Sequence, residues 1–166
     1  MNLKNKSFAL LFSVMLMACG GKEEKKKDGI RLQQEKTETA VEAPSDTGTP
    51  ASQRIELDNK GVGPITSVTL DAEIDEALAV KGKGVYEQMC LACHKPDKKY
   101  IGPAPKGVLE RRSPEWVMNM ILNPQGMVKE DPLAKDLLQE FNGAPMANQN
   151  LTEDQARAVL EYFRTL

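Results

Sequence analysis

Apolar positions are spread unevenly along the chain and divide it into regions. Phe8 to Ala18 is apolar apart from Ser13 and follows the short basic stretch Asn2 to Lys6. A bilayer-spanning helix needs about 20 apolar residues. A run this short, behind a basic start, instead fits the core of an export signal. From Gly20 to about Gln53 the apolar residues thin out, with a charge cluster at Glu23 to Asp28 and a Thr-, Ala-, Pro-, Ser- and Glu-rich stretch from Thr37 to Ser52. Such a segment buries too little apolar surface to offset its ordering entropy, which predicts a flexible tether over 19–53. Between Arg54 and Leu70 the residues Ile55, Leu57, Val62, Ile65, Val68 and Leu70 are too apolar for a linker. Val68-Thr69-Leu70 alternates as extended chain does, and 54–70 is read as an extension lying against the domain.

From Asp71 to Leu166 the periodicity is helical. One helix leads from about Asp75 into Cys90. A second starts at Ser113 as N-cap with Pro114 in its first turn, places Trp116, Val117, Met120 and Ile121 on one face, and stops at Asn123-Pro124. A third is capped by Asp131 ahead of Pro132, buries Leu133, Leu137, Leu138 and Phe141, and leaves through Asn142-Gly143. The last runs from Thr152, where Gln155 completes a capping box, through Val159, Leu160 and Phe163. With neither a β-hairpin nor a βαβ signal, the expected class is all-α, with four or so helices in one domain over 71–166.

The chain has 166 residues, room for one ordinary domain plus appendages, and a formal net charge of −2, which gives no reason to expect a nucleic-acid partner. Its three cysteines change the picture more. Cys19 closes the apolar N-terminal run in Leu16-Met17-Ala18-Cys19-Gly20, which resembles a bacterial lipoprotein processing site. A signal peptide over 1–18 would then be removed and Cys19 acylated, anchoring the chain by lipid on the periplasmic side of a membrane. Several acyl chains hold where one is marginal.

Cys90 and Cys93 stand in Cys90-Leu91-Ala92-Cys93-His94, which also contains the chain's single histidine. C-x-x-C-H is the attachment signature of c-type haem. On a helical turn the two thiols reach both vinyl groups to form thioethers, and His94 then faces the iron. A zinc site would be one ligand short without a second C-x-x-C, and a thioredoxin-like pair would want a βαβ context. The sixth iron ligand has to come from something other than histidine, and methionine is the expected donor. Met118 and Met120 fall on the second helix, a usual place for core methionine. Met127 after Asn123-Pro124 and Met146 in Gly143-Ala144-Pro145-Met146-Ala147 are the loop candidates.

On these residues the chain is similar to class I cytochrome c domains over nearly all of 71–166. Gly82 and Tyr86 resemble the positions where that family crosses its first and last helices, with Tyr162 as the facing aromatic. Ile101-Gly102-Pro103 resembles the loop whose proline carbonyl accepts the proximal histidine's N–H, which fixes the ring and raises its basicity. Pro105 departs from the leucine usual there. The resemblance places the axial methionine at Met146, just before the last helix, although the common order there is Met-Pro rather than Pro-Met. Trp116 is a candidate contact of the haem pocket.

Motif and resemblance together imply one covalent haem c, axial ligation by His94 and Met146, and single-electron transfer rather than enzymatic turnover of a small-molecule substrate. The rival readings are a five-coordinate gas sensor, a peroxidase-like protein, and a cytochrome subunit of a larger oxidase. Peroxidases usually pair two such motifs. In the four-helix gas-binding type the motif lies near the C-terminus, whereas 72 residues follow His94. The chain also resembles small lipoprotein cytochromes that feed terminal reductases or oxidases, nitrous oxide reductase among them. Partners would be redox proteins. From His94 to Arg112 bases exceed acids by four, and from Ser113 onward acids outnumber bases by eight to four. The basic side would steer an acidic partner at low salt.

Overall fold

A computed structural model describes residues 48–166. Cys19, the signal over 1–18 and most of the expected tether lie outside the described residues. Among the described residues there are five α-helices, α1 (Glu76–Met89), α2 (Pro114–Leu122), α3 (Pro124–Glu130), α4 (Pro132–Glu140) and α5 (Glu153–Phe163), with one 3-10 turn at Val108–Glu110. Among the described residues the sole β feature is an isolated parallel bridge between Glu56 and Arg112.

Each helix starts where its side-chain chemistry dictates. Asp75 accepts from the Leu78 amide at 2.9 Å, Ser113 from Trp116 at 3.0 Å and Asp131 from Ala134 at 2.7 Å. Thr152 and Gln155 satisfy one another's backbone amides, at 3.2 and 2.9 Å, and open α5. Each such cap is worth about 1 kcal/mol.

One helix was not expected. Asn123-Pro124 ends α2, but it also begins α3, because Asn123 accepts from the Gly126 amide at 3.3 Å and Pro124 supplies a first-turn φ already suited to a helix. Met127 is therefore a helical residue and not a loop residue. It is fully buried, and its sulfur accepts the Val62 amide at 2.9 Å.

α1 crosses α5 at a point where only glycine fits. A Cβ on Gly82 would sit 1.8 Å from the Ala158 carbonyl oxygen and 2.9 Å from the Val159 amide nitrogen. Tyr86, one turn on, is buried and packs on Tyr162 with ring centroids 5.3 Å apart and edge-on to Phe163 at 5.8 Å. The core behind this crossing is built from α2, α3, α4 and α5, with Trp116, Val117, Ile121, Met127, Leu133 and Leu160 among its buried members.

Pro50 to Leu70 runs over α2, α3 and α4 as a strap. Few of its bonds are to other backbone; helix side chains hold it instead. Asn119 donates to the carbonyls of Lys60 and Ile65 and accepts the Ile65 amide, all at 2.9 Å. Asn123 donates to Val62 and Ser113 to Asn59, while Asn59 donates to the Asp131 carboxylate. The packed chain starts earlier than composition suggests. Ala51 is buried, and Ser52 donates through both its amide and its hydroxyl to Glu140, at 2.8 and 2.6 Å.

Candidate functional site

The end of α1, the 94–112 loop, α2, α4, α5 and the 142–149 loop enclose an apolar cleft. Cys90 caps the C-terminus of α1, its amide bonded to the Tyr86 carbonyl, and the chain then turns tightly so that the Cys93 and His94 amides both donate to the Cys90 carbonyl, at 3.0 and 2.9 Å. That turn brings Cys90, Cys93 and His94 to the cleft wall together. Cys90 is half-buried and Cys93 exposed, and neither forms a disulfide. Burial, then the neighbouring Cys93, pushes the Cys90 thiol up to about 11, which keeps it protonated at neutral pH. Among the described residues no group of three or more His, Cys, Asp or Glu side chains gathers as a metal site would require.

His94 is held from two sides. Its Nδ1 lies 2.8 Å from the Pro103 carbonyl oxygen. A carbonyl can only accept, so the proton is on Nδ1 and Nε2 keeps the free lone pair. Gly102 lies against the ring, where a Cβ would come within 2.4 Å of Cε1, so the loop reaches the imidazole only because residue 102 has no side chain. The Tyr86 hydroxyl donates to the His94 carbonyl at 2.6 Å. Burial first, and then the nearby Tyr162, Cys90 and Asp97, push that phenol up to about 12, so it stays a donor.

The two methionines expected in loops part company. Met146, half-buried, lines the cleft with its neighbours Ala144, Pro145 and Ala147. Met127 does not line it; its sulfur lies under the strap with the Val62 amide. Met120 also reaches the cleft, from α2. Trp116 is buried in the cleft wall and donates from Nε1 to Asp131 at 3.3 Å. Pro105 is buried at the same wall, and its carbonyl accepts the Val108 amide at 2.9 Å, so the expected departure fills its place as a turn residue.

Arg112, expected as one charge of a basic surface, is instead a buried cleft residue. It is 3% exposed, lines the cleft with Arg111 and Ser52, and packs over Trp116 with its guanidinium carbon 5.3 Å from the ring centroid. Its guanidinium donates to the carbonyls of Ala51, Arg54 and Arg111, and burial pushes its pKa down to about 10 despite Glu56. The local signal was a pair of adjacent arginines ahead of a helix cap, which reads as surface charge. The cleft is thus apolar over most of its wall and cationic at Arg111 and Arg112. A macrocycle with an apolar face and two carboxylates matches that division.

The family model for cytochrome c matches residues 79–166. No curated protein matches the chain. Among solved structures, a cytochrome c from Rhodothermus marinus is 46% identical with a TM-score of 0.60, the alignment covering 62% of this chain and 88% of that one. An engineered form, Rma TDE, is 45% identical with a TM-score of 0.60 over 62% and 89%. The same engineered protein bound to a carbene intermediate is 45% identical with a TM-score of 0.58 over 62% and 88%. With this match over more than half its length and an all-helical fold around the cleft, the chain belongs to the cytochrome c family, carries covalent haem c and is a haem electron carrier.

Proposed function

We propose that the chain is a lipid-anchored carrier facing the periplasm, shuttling single electrons to or from a respiratory reductase or oxidase, with nitrous oxide reductase one such acceptor, and that it is not an enzyme. The observation that carries the reading is the placement of Cys90, Cys93, His94 and Met146 on one cleft, with Met127 engaged elsewhere. In this reading Cys90 and Cys93 would hold haem c through thioethers, and His94 Nε2 and the Met146 sulfur would be the protein's donors to its iron. Bound there, haem c supplies a one-electron iron couple, and a thioether ligand favours its reduced state.

The protein's own groups set the conditions. The Pro103 carbonyl fixes the His94 tautomer and ring plane, which leaves the ligand little freedom to rearrange between oxidation states. Apolar walls from Trp116, Val117, Leu137 and Phe163 would keep water off the centre, and the positive charge of Arg111 and Arg112 at the cleft would offset its carboxylates. A second iron donor from Met146 would leave no open site for a gas or peroxide, which favours the carrier over the sensor or peroxidase reading. Anchoring rests on the Leu16 to Gly20 pattern and the choice of acceptor on the resemblance in sequence.

Protein exported with haem maturation should show one covalent haem per chain by denaturing-gel haem stain and mass spectrometry. The double variant Cys90→Ser, Cys93→Ser should show none, and haem still covalently held there would end the assignment. In the native host, Cys19→Ser should release a soluble haem protein. Unchanged membrane retention would remove the lipid anchor from the reading.

A further inference from the structure

The strap lies before residue 79, where the match to the cytochrome c family begins, yet its first turn is built into the cleft. Pro50 to Arg54 forms that turn, closed by the Gln53 and Arg54 amides donating to the Pro50 carbonyl at 2.8 and 3.1 Å. The carbonyls of Ala51 and Arg54 accept from the Arg112 guanidinium, Ala51 at 2.6 Å. The turn is itself fixed by α4. Ser52, a cleft residue, gives its amide and hydroxyl to the Glu140 carboxylate, and Arg54 pairs with Asp136 at 2.5 Å. Asp136 and Glu140 are four residues apart on the helix, so one face of α4 grips the turn that holds Arg112. Among the described residues Arg112 makes no ion pair, and its hydrogen bonds go to backbone carbonyls alone. A buried charge without a counter-ion persists only where its hydrogen bonds are met. Burial pushes its pKa down to about 10, which still leaves it charged at neutral pH.

We propose that the Pro50–Arg54 turn is a redox-positioning element, which sets the carrier's reduction potential by latching the Arg112 guanidinium into the cleft wall. The proposal rests on the carrier reading and adds to it a segment outside the family match. A fixed cation in a low-dielectric wall disfavours the more positive, ferric state, so the potential is higher with the turn latched. Once released, the long side chain turns to water, where its charge is screened. Ser52, Arg54, Asp136 and Glu140 are then positioning residues that act through Arg112.

The variant Asp136→Ala, Glu140→Ala unlatches the turn in the haem-loaded full chain, and the sign of its effect is diagnostic. Losing two carboxylates would by itself raise the potential, whereas letting Arg112 swing away lowers it. Voltammetry should show a fall, several-fold in the ferrous-to-ferric ratio at a fixed electrode potential, with each tenfold reading as about 59 mV for one electron. Ser52→Ala, which removes only the hydroxyl bond to Glu140 and alters no charge, should give a smaller fall. Arg112→Gln should lower the potential in the otherwise native chain and add little in the unlatched one, as expected of residues that act through one another. By nitrogen NMR the Arg112 Nη atoms should give two separate signals when latched and one averaged signal when unlatched. A potential that rises in the double variant, or shifts from unlatching and from Arg112→Gln that simply add, would overturn the proposal. Failure of the carrier reading shows separately, as a missing covalent haem or an irreversible couple in the unaltered protein.

Discussion

Replacing Met127 and Met146, one at a time, should give opposite phenotypes. In Met127→Ala a fully buried side chain is lost beneath the strap. Core methionine-to-alanine changes cost about 2–5 kcal/mol. The Val62 amide also loses its acceptor at 2.9 Å, and a buried donor left without a partner adds about 1–3 kcal/mol where water does not enter. For a domain of this size each kcal/mol lowers the midpoint by roughly 4 °C, so thermal unfolding of haem-loaded protein should shift down by about 10–30 °C. The ferric long-wavelength sulfur-to-iron band and the reduction potential should stay where they are. In Met146→Ala the half-buried loop loses little packing, and the melting point should move less. The band should vanish, the potential fall, and the ferrous protein bind carbon monoxide. Scanning calorimetry, the ferric spectrum and voltammetry on both variants decide the matter. If Met127→Ala removes the band while Met146→Ala keeps it, the division of roles drawn from the cleft is wrong.

Gly82→Ala puts a methyl group against the Ala158 carbonyl, so α1 and α5 must separate and stability should drop by about 3 kcal/mol, measured by denaturant titration. Glu161 supplies a pH test. Burial pushes its carboxyl up, but the Arg157 hydrogen bond, the Asp75 amide and the charges of Arg157 and Arg164 outweigh it, so its pKa lies below the ordinary carboxylate range. A folded pKa below the unfolded one means the contribution is complete at neutral pH and is lost as pH falls through the folded value. Glu161→Gln should therefore be less stable than wild type at pH 7, and the difference should narrow in acid. A gap that stays constant with pH would show that the carboxylate's charge contributes nothing.

The parts of the fold legible in sequence are those encoded by neighbours. Ser113-Pro114, Asp131-Pro132 and the Thr152/Gln155 box each specify a helix start within four residues, and each start lies where its cap puts it. The helix at Pro124 was hidden by the same chemistry, because an Asn-Pro pair reads equally well as a stop and as a start. What was not legible depends on distant partners. Nothing near Met127 announces that its sulfur will meet an amide 65 residues earlier in the chain. Nothing near Asn119 shows that it will bind the strap at three points. Ala51 sits in a polar, proline-rich stretch and is buried because Arg112 holds its carbonyl, a contact across 61 residues. At the site the motif Cys90 to His94 and the loop of Met146 could be read directly, and so could the excess of bases up to Arg112, whereas the burial of Arg112 over Trp116 could not.

The junctions of α2, α3 and α4 are also a mechanical arrangement. Asn123 closes one helix and opens the next, and Asp131 does the same one helix later, so no connecting residue is spare. Inserting or deleting a single residue at either junction would rotate everything beyond it by about 100° around the helix axis. Two walls of the cleft, Trp116 on α2 and Leu137 on α4, are spaced by this unbroken count. The segment from Ser113 to Phe141 should accordingly exchange its amide hydrogens as one cooperative block, and length variation should collect in the 142–151 loop.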